Sequence, residues 1–119
     1  MINKENVFRY IVTEYGINPD FPWMKYPEYA VFRHENNRKW FCLAMTVPRA
    51  KLGLKGDEVV EIINIKCPPE IIGSLRSSAG FLPAYHMNKE HWVTILLDGT
   101  VSKADGLFFL NQSYCLTKR

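Results

Sequence analysis

Cysteine is scarce: Cys42, Cys67 and Cys115 are the only three in 119 residues, and they form no C-x-x-C pair. That spacing excludes a zinc ribbon or a thioredoxin-type motif. An odd number of scattered thiols points instead to free, mostly buried side chains in a reducing compartment. Long apolar runs are also missing, since nothing approaches the roughly 18 residues that cross a bilayer. The opening MINKENVFRYIV mixes acids and bases and has no signal-peptide core. The expectation is a cytoplasmic protein with no membrane association. There is no phosphate-binding loop either. Gly53 and Gly56 lack the strand-to-helix context and the Lys-Ser/Thr ending that such a loop needs.

What is present describes one compact domain, 1–119. A chain of this length buries a core without staples, and its apolar fraction of 47% is ordinary. The net charge of +3 is mild, which permits a nucleic-acid partner without demanding one. The distribution says more. Arg38, Lys39, Arg49, Lys51 and Lys55 fall between Asn36 and Gly56 with no acid among them, and Asp57, Glu58 and Glu61 follow at once. A solvated hairpin with charges in blocks is the plain explanation of such a run.

Along the chain, Val7, Tyr10, Ile11 and Tyr15 recur at helical spacing after Asn3 or Asn6, and Gly16 is a natural stop. The three prolines of Ile17–Glu28 exclude regular helix, so this is an extended connector that Phe21, Trp23 and Tyr26 pin to the domain. Tyr29–Arg33 and Lys39–Val47 read as a hairpin joined by His34-Glu35-Asn36-Asn37. Strict alternation puts Phe41, Leu43, Met45 and Val47 on a core face. It leaves Trp40, Cys42, Ala44 and Thr46 on a partly open one. A loop rich in bases, Pro48–Gly56, leads to a strand over Glu58–Lys66 whose two faces are almost equally apolar. Pro68-Pro69-Glu70 opens a second helix. His91–Leu97 is a further strand, and Ser102–Leu116 closes the chain as a helix weakened by Gly106. Helices near both ends and short hairpins imply an α+β two-layer sandwich with a mostly antiparallel sheet and helices on one face.

Five segments in this order, PEYAVFRH, KWFCLAM, IINIKCPPE, PAYHMNKEHWVTILLDG and LNQSYCLT, resemble the MmcQ/YjbR family of small bacterial proteins. The resemblance covers nearly the whole chain, and HMNK-HW and the terminal SY-LT are its most specific parts. It implies a CyaY-like (frataxin-like) α+β fold with no assigned biochemical activity. Members of the family are described as DNA-binding through a double-wing arrangement. Fold alone does not set function.

His86, Glu90, His91 and His34 are ligand types, but H-x4-H is not the HExxH pattern and does not put both histidines on one helical face. The acidic ridge that would hold iron on a frataxin-like helix is missing, with only Glu5 and Glu14 in the first helix. No cysteine is placed beside a histidine by pattern. The expectation is no metal, no cofactor and no enzymatic activity. DNA binding is the leading reading. Basic hairpin tips (Arg38, Lys39, Arg49, Lys51, Lys55) would sit on phosphates, and Trp40 and Trp92, flanked by Lys66 and Lys89, would offer a stacking surface. The alternative is a small-molecule or protein-partner module using an exposed sheet face. There a pocket between the sheet and the connector would be rimmed by Tyr85, His86, Asn88, His91 and Trp92.

Overall fold

The computed structural model describes residues 2–118. Helix α1, Lys4–Tyr15, begins where the Asn3 side chain accepts the Asn6 amide and Asn6 returns the bond to the Asn3 amide. This reciprocal box satisfies two donors that the helix cannot. Gly16 ends it in the left-handed conformation, φ 66°, with its amide on Val12 O. Five strands follow: β1 Ala30–Arg33, β2 Trp40–Pro48, β3 Val59–Lys66, β4 Phe81–Pro83 and β5 Trp92–Leu96. Helix α2, Pro69–Leu75, lies between β3 and β4, and α3, Lys103–Thr117, closes the fold from its Ser102 cap.

The sheet order is β1-β2-β3-β5-β4 with every neighbour antiparallel. It is the expected α+β sandwich, with the helices on one face. The register runs straight across: Ala30, Ala44, Ile63, Ile95 and Phe81 form one row, and all five are buried beneath the helices. The next row of that face is Phe32, Cys42, Ile65 and Val93. The smaller residues of β2 therefore face the helices. Small side chains there let α3 lie close over β2 and β3.

This corrects the expected face assignment. Phe32 opposes Cys42, but Arg33 opposes Trp40, so β2 carries one extra residue at this point. A bulge of this kind reverses the alternation beyond it. Phe41 joins Cys42 and Ala44 in the helix-side core, while Trp40 moves to the face of Leu43, Met45 and Val47. Leu43, Met45 and Val47 are buried there as expected, but the partly open face expected of Cys42 and Ala44 is the helix-side core instead. Val31, Leu43, Met45, Val47, Val60, Ile62 and Leu96 are all buried on the second face. Their cover comes mostly from loops: Trp23 and Tyr29 from the connector and its end, Leu52 and Leu54 from the basic loop, and Tyr85 and Met87 from the segment after β4, with Leu82 of β4 beside them.

Gly106, expected to weaken α3, is buried where a Cβ would overlap Ile2 Cδ1 and lie 3.2 Å from Ile2 Cγ2. Lost helix propensity there accompanies the close packing of Ile2 against α3.

Candidate functional site

The connector travels from one face of the sheet to the other. Ile17 is buried in the helix-side core. Asp20 then pairs with Val31 through two backbone hydrogen bonds of 2.9 and 2.8 Å, covering the free edge of β1. Arg33 adds an ion pair to Asp20 at 2.8 Å. Beyond it the chain makes two successive tight turns. The Tyr26 amide donates to Trp23 O at 3.2 Å, and the Tyr29 amide to Tyr26 O at 3.0 Å. Pro27 falls at the turn position its fixed φ suits. Two turns in phase carry residues 23, 26 and 29 to the same side. Their rings touch: Tyr26 stacks on Tyr29 with centroids 4.6 Å apart, and Trp23 meets Tyr29 edge-on at 6.3 Å. Trp23 also meets Trp40 edge-on at 5.9 Å. Of the three connector aromatics expected to anchor the segment, only Trp23 does so. Phe21 and Tyr26 are 53% and 48% exposed.

These rings wall a cleft of about 390 Å3, within the range of small-ligand sites. Leu43 and Met45 form its floor, and Tyr85, His86 and Met87 close the far side. The far wall is fixed from within the sheet. At the centre of this face Thr94 Oγ1 donates to Asn64 Oδ1 and accepts the Tyr85 amide at 2.9 Å. Asn64 Nδ2 donates to Tyr85 O at 2.9 Å. Both backbone groups of Tyr85 are thus held by a buried polar pair, which leaves its side chain to face the cleft. His86 follows with φ 58°, a left-handed backbone that a histidine adopts at some cost. Its ring lies edge-on to Tyr85 at 4.1 Å. Burial and the neighbouring phenol of Tyr85 push the Tyr29 hydroxyl up from its ordinary pKa, keeping it protonated.

The residues expected to bind nucleic acid do not form one surface. Arg38 and Lys39 lie at the start of β2, while Arg49, Lys51 and Lys55 lie beyond its end. A nine-residue strand separates the two groups by roughly 30 Å. The second group is not a protruding wing either. It contains a 3-10 turn, Arg49–Leu52, with Leu52 and Leu54 packed onto the sheet. Arg49 is spent internally, with Nε donating to Lys55 O at 2.8 Å. Lys66 pairs across the sheet with Trp92, half-buried at the β2-start end. Trp92 shares the second face with Trp40 by alternation but does not line the cleft. Lys51 and Lys89 do come together, in a hollow adjoining Tyr85 and His86.

Of the expected ligand residues, Tyr85 and His86 line the cleft. Asn88 instead builds the turn before β5: its Oδ1 accepts the Glu90 amide at 2.8 Å and its carbonyl accepts the Trp92 amide at 3.0 Å. His91 is exposed and holds Cys67 N through its backbone carbonyl. Trp23, Tyr26 and Tyr29 were missed. The signal for them is W-x-x-Y-x-x-Y, aromatics at every third position in a proline-punctuated segment.

A family model for YjbR matches residues 13–116. The chain belongs to the YjbR family. It is 46% identical to the uncharacterised Bacillus subtilis protein YyaQ over 118 residues, covering 99% of this chain and all of the relative. A crystal structure of a Pseudomonas syringae protein superposes with TM-score 0.96 at 44% identity, covering 98% of this chain and 100% of that one. The DUF419 domain of a Deinococcus radiodurans protein gives TM-score 0.75 at 27% identity, covering 100% of this chain and 80% of that one.

In this YjbR chain the terminal SY-LT segment holds the fold together. Ser113 Oγ donates to Phe41 O at 2.6 Å and accepts the Lys66 amide at 2.8 Å, bridging β2 and β3 where their ladder ends. Tyr114 stacks on Tyr15 at 3.7 Å, joining α3 to α1. Thr117 Oγ1 donates to Ser113 O and accepts from His34 Nε2 at 2.8 Å, so Nε2 carries the proton. His34 is buried, and burial first, then Lys118 and Lys39, holds its pKa below the usual value against the opposing pull of Tyr114 O. Burial also pushes the Cys67 thiol up to about 11 and the Cys42 thiol higher still. Among the described residues, no three His, Cys, Asp or Glu side chains gather as a metal site, and no helix is long and apolar enough to cross a membrane.

Proposed function

We propose that this YjbR-family protein is a non-catalytic binding module whose ligand site is the aromatic cleft on the sheet face away from the helices. The observation that carries this is the convergence of Trp23, Tyr26, Tyr29, Trp40 and Tyr85 on one space with a dry aliphatic floor. Rings supply contact area and stacking at low entropic cost, and two methionines, Met45 and Met87, adapt to a ligand's outline. The high thiol pKa values of Cys42 and Cys67 support a role without thiol chemistry. Three unpaired cysteines support placement in the cytoplasm.

The test is a screen of soluble aromatic fragments by 1H–15N NMR. Hits are expected to shift the indole N–H signals of Trp23 and Trp40. Trp40→Ala is expected to weaken a hit by about 2 kcal/mol, roughly thirtyfold, the scale of a central aromatic contact. Fragments that bind without touching either indole would sink the reading.

A second reading, nucleic-acid binding, is favoured by the meeting of Lys51 and Lys89 beside exposed rings. It has a quantitative signature. Five cations acting as wings give a log K against log salt slope near −4.5, whereas two give about −1.8. Retention on DNA with the steeper slope would favour wings over the cleft.

A further inference from the structure

Two hollows meet on this face, and their chemistry differs. The aromatic cleft shares Tyr85 and His86 with a neighbouring space of about 370 Å3. Lys51 and Lys89 line that second space and, among the described residues, no Asp or Glu lines either one. Each lysine stands on a braced turn. Lys51 lies in the 3-10 turn, which is closed by Gly53 in the left-handed conformation and tied by Arg49 to Lys55 O. The Arg49 amide also donates to Glu58 O at 3.0 Å. Lys89 lies in the turn that Asn88 holds with both its side chain and its carbonyl. His86, in its left-handed backbone conformation, places its ring at the seam. The bracing fixes the backbone from which each exposed lysine side chain reaches over the hollow.

We propose that the ligand of the aromatic cleft is an aromatic anion, its planar rings held among Trp23, Tyr26 and Trp40 and its anionic group drawn to Lys51 and Lys89. This rests on the binding-site reading above and narrows it. A cationic ligand would suit an aromatic cage taken alone, and Glu28 lies near enough to act on the Tyr29 hydroxyl, but the two lysines that line the adjoining space, where no carboxylate does, oppose it. A carboxylate and a phosphate share the required chemistry, and both accept charge-assisted hydrogen bonds from ammonium groups.

The matched probes are 1-anilinonaphthalene-8-sulfonate and N-phenyl-1-naphthylamine, which have the same ring body with and without a sulfonate. Both fluoresce in apolar surroundings. The sulfonate is expected to bind on the order of tenfold more tightly at low salt, and the advantage should shrink as salt rises. The double variant Lys51→Ala/Lys89→Ala should erase the advantage and leave the neutral probe unchanged. Tyr26→Ala, at an exposed position that the fold tolerates, should weaken both probes. Equal affinities in the native chain, or an advantage that survives the lysine variant, would overturn the anionic subsite while leaving the cleft standing. Failure of both probes to bind, or indifference of both to Tyr26→Ala, would overturn the cleft and the subsite together. Displacement of the sulfonate by 2-naphthoate or by 2-naphthyl phosphate would support the proposal and tell a carboxylate from a phosphate. Displacement by neither would count against it.

Discussion

Ser113→Ala removes one oxygen atom and strands two backbone groups. The Ser113 hydroxyl is fully buried. It is the partner of Phe41 O at 2.6 Å and of the Lys66 amide at 2.8 Å, at the point where β2 and β3 stop pairing directly. Each buried group left without a partner costs about 1–3 kcal/mol. The strands beyond the last pair relax somewhat, so the combined loss should be about 2–4 kcal/mol. Unfolding entropy of about 2.1 cal/mol/K per residue over 119 residues comes to about 250 cal/mol/K. Each kcal/mol then lowers Tm by about 4 °C, giving a fall of about 8–16 °C in a thermal melt. Urea unfolding should show the same loss as a lower midpoint at unchanged slope. Ser77→Ala serves as the control, because its exposed hydroxyl makes only a 3.5 Å bond to Gly73 O, and it should stay within about 0.5 kcal/mol of the parent. A Ser113→Ala loss below about 1 kcal/mol would refute the bridging role. The folded variant should still bind aromatic probes normally, since Ser113 packs on the helix side.

His34 makes stability depend on pH with a definite sign. Its folded pKa lies below 6.5, so the unfolded chain binds the proton first. The contribution is complete above about pH 6.5 and is lost as pH falls from there toward the folded value. Urea midpoints at pH 7.5 and 5.5 should differ less in His34→Gln than in the parent. Gly106→Ala gains about 1 kcal/mol of helix propensity, but it forces Ile2 out of a buried site. The net effect should be a loss of about 1–2 kcal/mol by chemical denaturation. Thiol titration at pH 8 should find Cys115 reactive in the native chain, with Cys42 and Cys67 appearing only in denaturant, because they are buried and Cys115 is exposed.

The α+β class, all three helices and four of the five strands were legible within a residue or two, because those signals are local. The Asn3 cap and the Gly16 stop follow from residue chemistry alone. Face assignment was not legible, because it depends on one extra residue. Phe41 and Trp40 look like ordinary members of an alternating strand, and only the pairing with Arg33 reveals the bulge. β3 could not arbitrate, since Val60 and Ile62 are as apolar as Ile63 and Ile65. Part of the candidate cleft was legible. Tyr85 and His86 stood out by crowding, whereas Trp23 and Tyr26 were read as packing and Tyr29 as the start of a strand. Their common side comes from two consecutive turns, which is a three-residue period and not the helical or strand period that pattern reading seeks. The basic run was legible as two tips on either side of a strand, but the packing of its loop was not: Arg49 turns inward to hold Lys55 O, and Leu52 and Leu54 pack onto the sheet.

The shape of the second face favours the proposed small ligand over a protein partner. A stable protein interface buries roughly 800 Å2 on each side and needs a broad surface. Here the exposed apolar residues near the cleft are few: Phe21, Met24 and Tyr26, all on one connector. The depth points the other way. Leu43 and Met45 line the floor, yet they are only 5% and 4% exposed, so the rings above already shield them. A ring system entering between those walls displaces water from apolar surface at about 25 cal/mol per Å2. An aromatic body with about 100 Å2 of its own surface made dry gains about 2.5 kcal/mol before any stacking. A flat protein surface laid over the rim would reach the connector rings and leave the floor untouched. The same five rings are therefore worth more to a molecule small enough to pass between them, and under the proposal the two lysines of the adjoining hollow act on whatever part of it reaches past Tyr85 and His86.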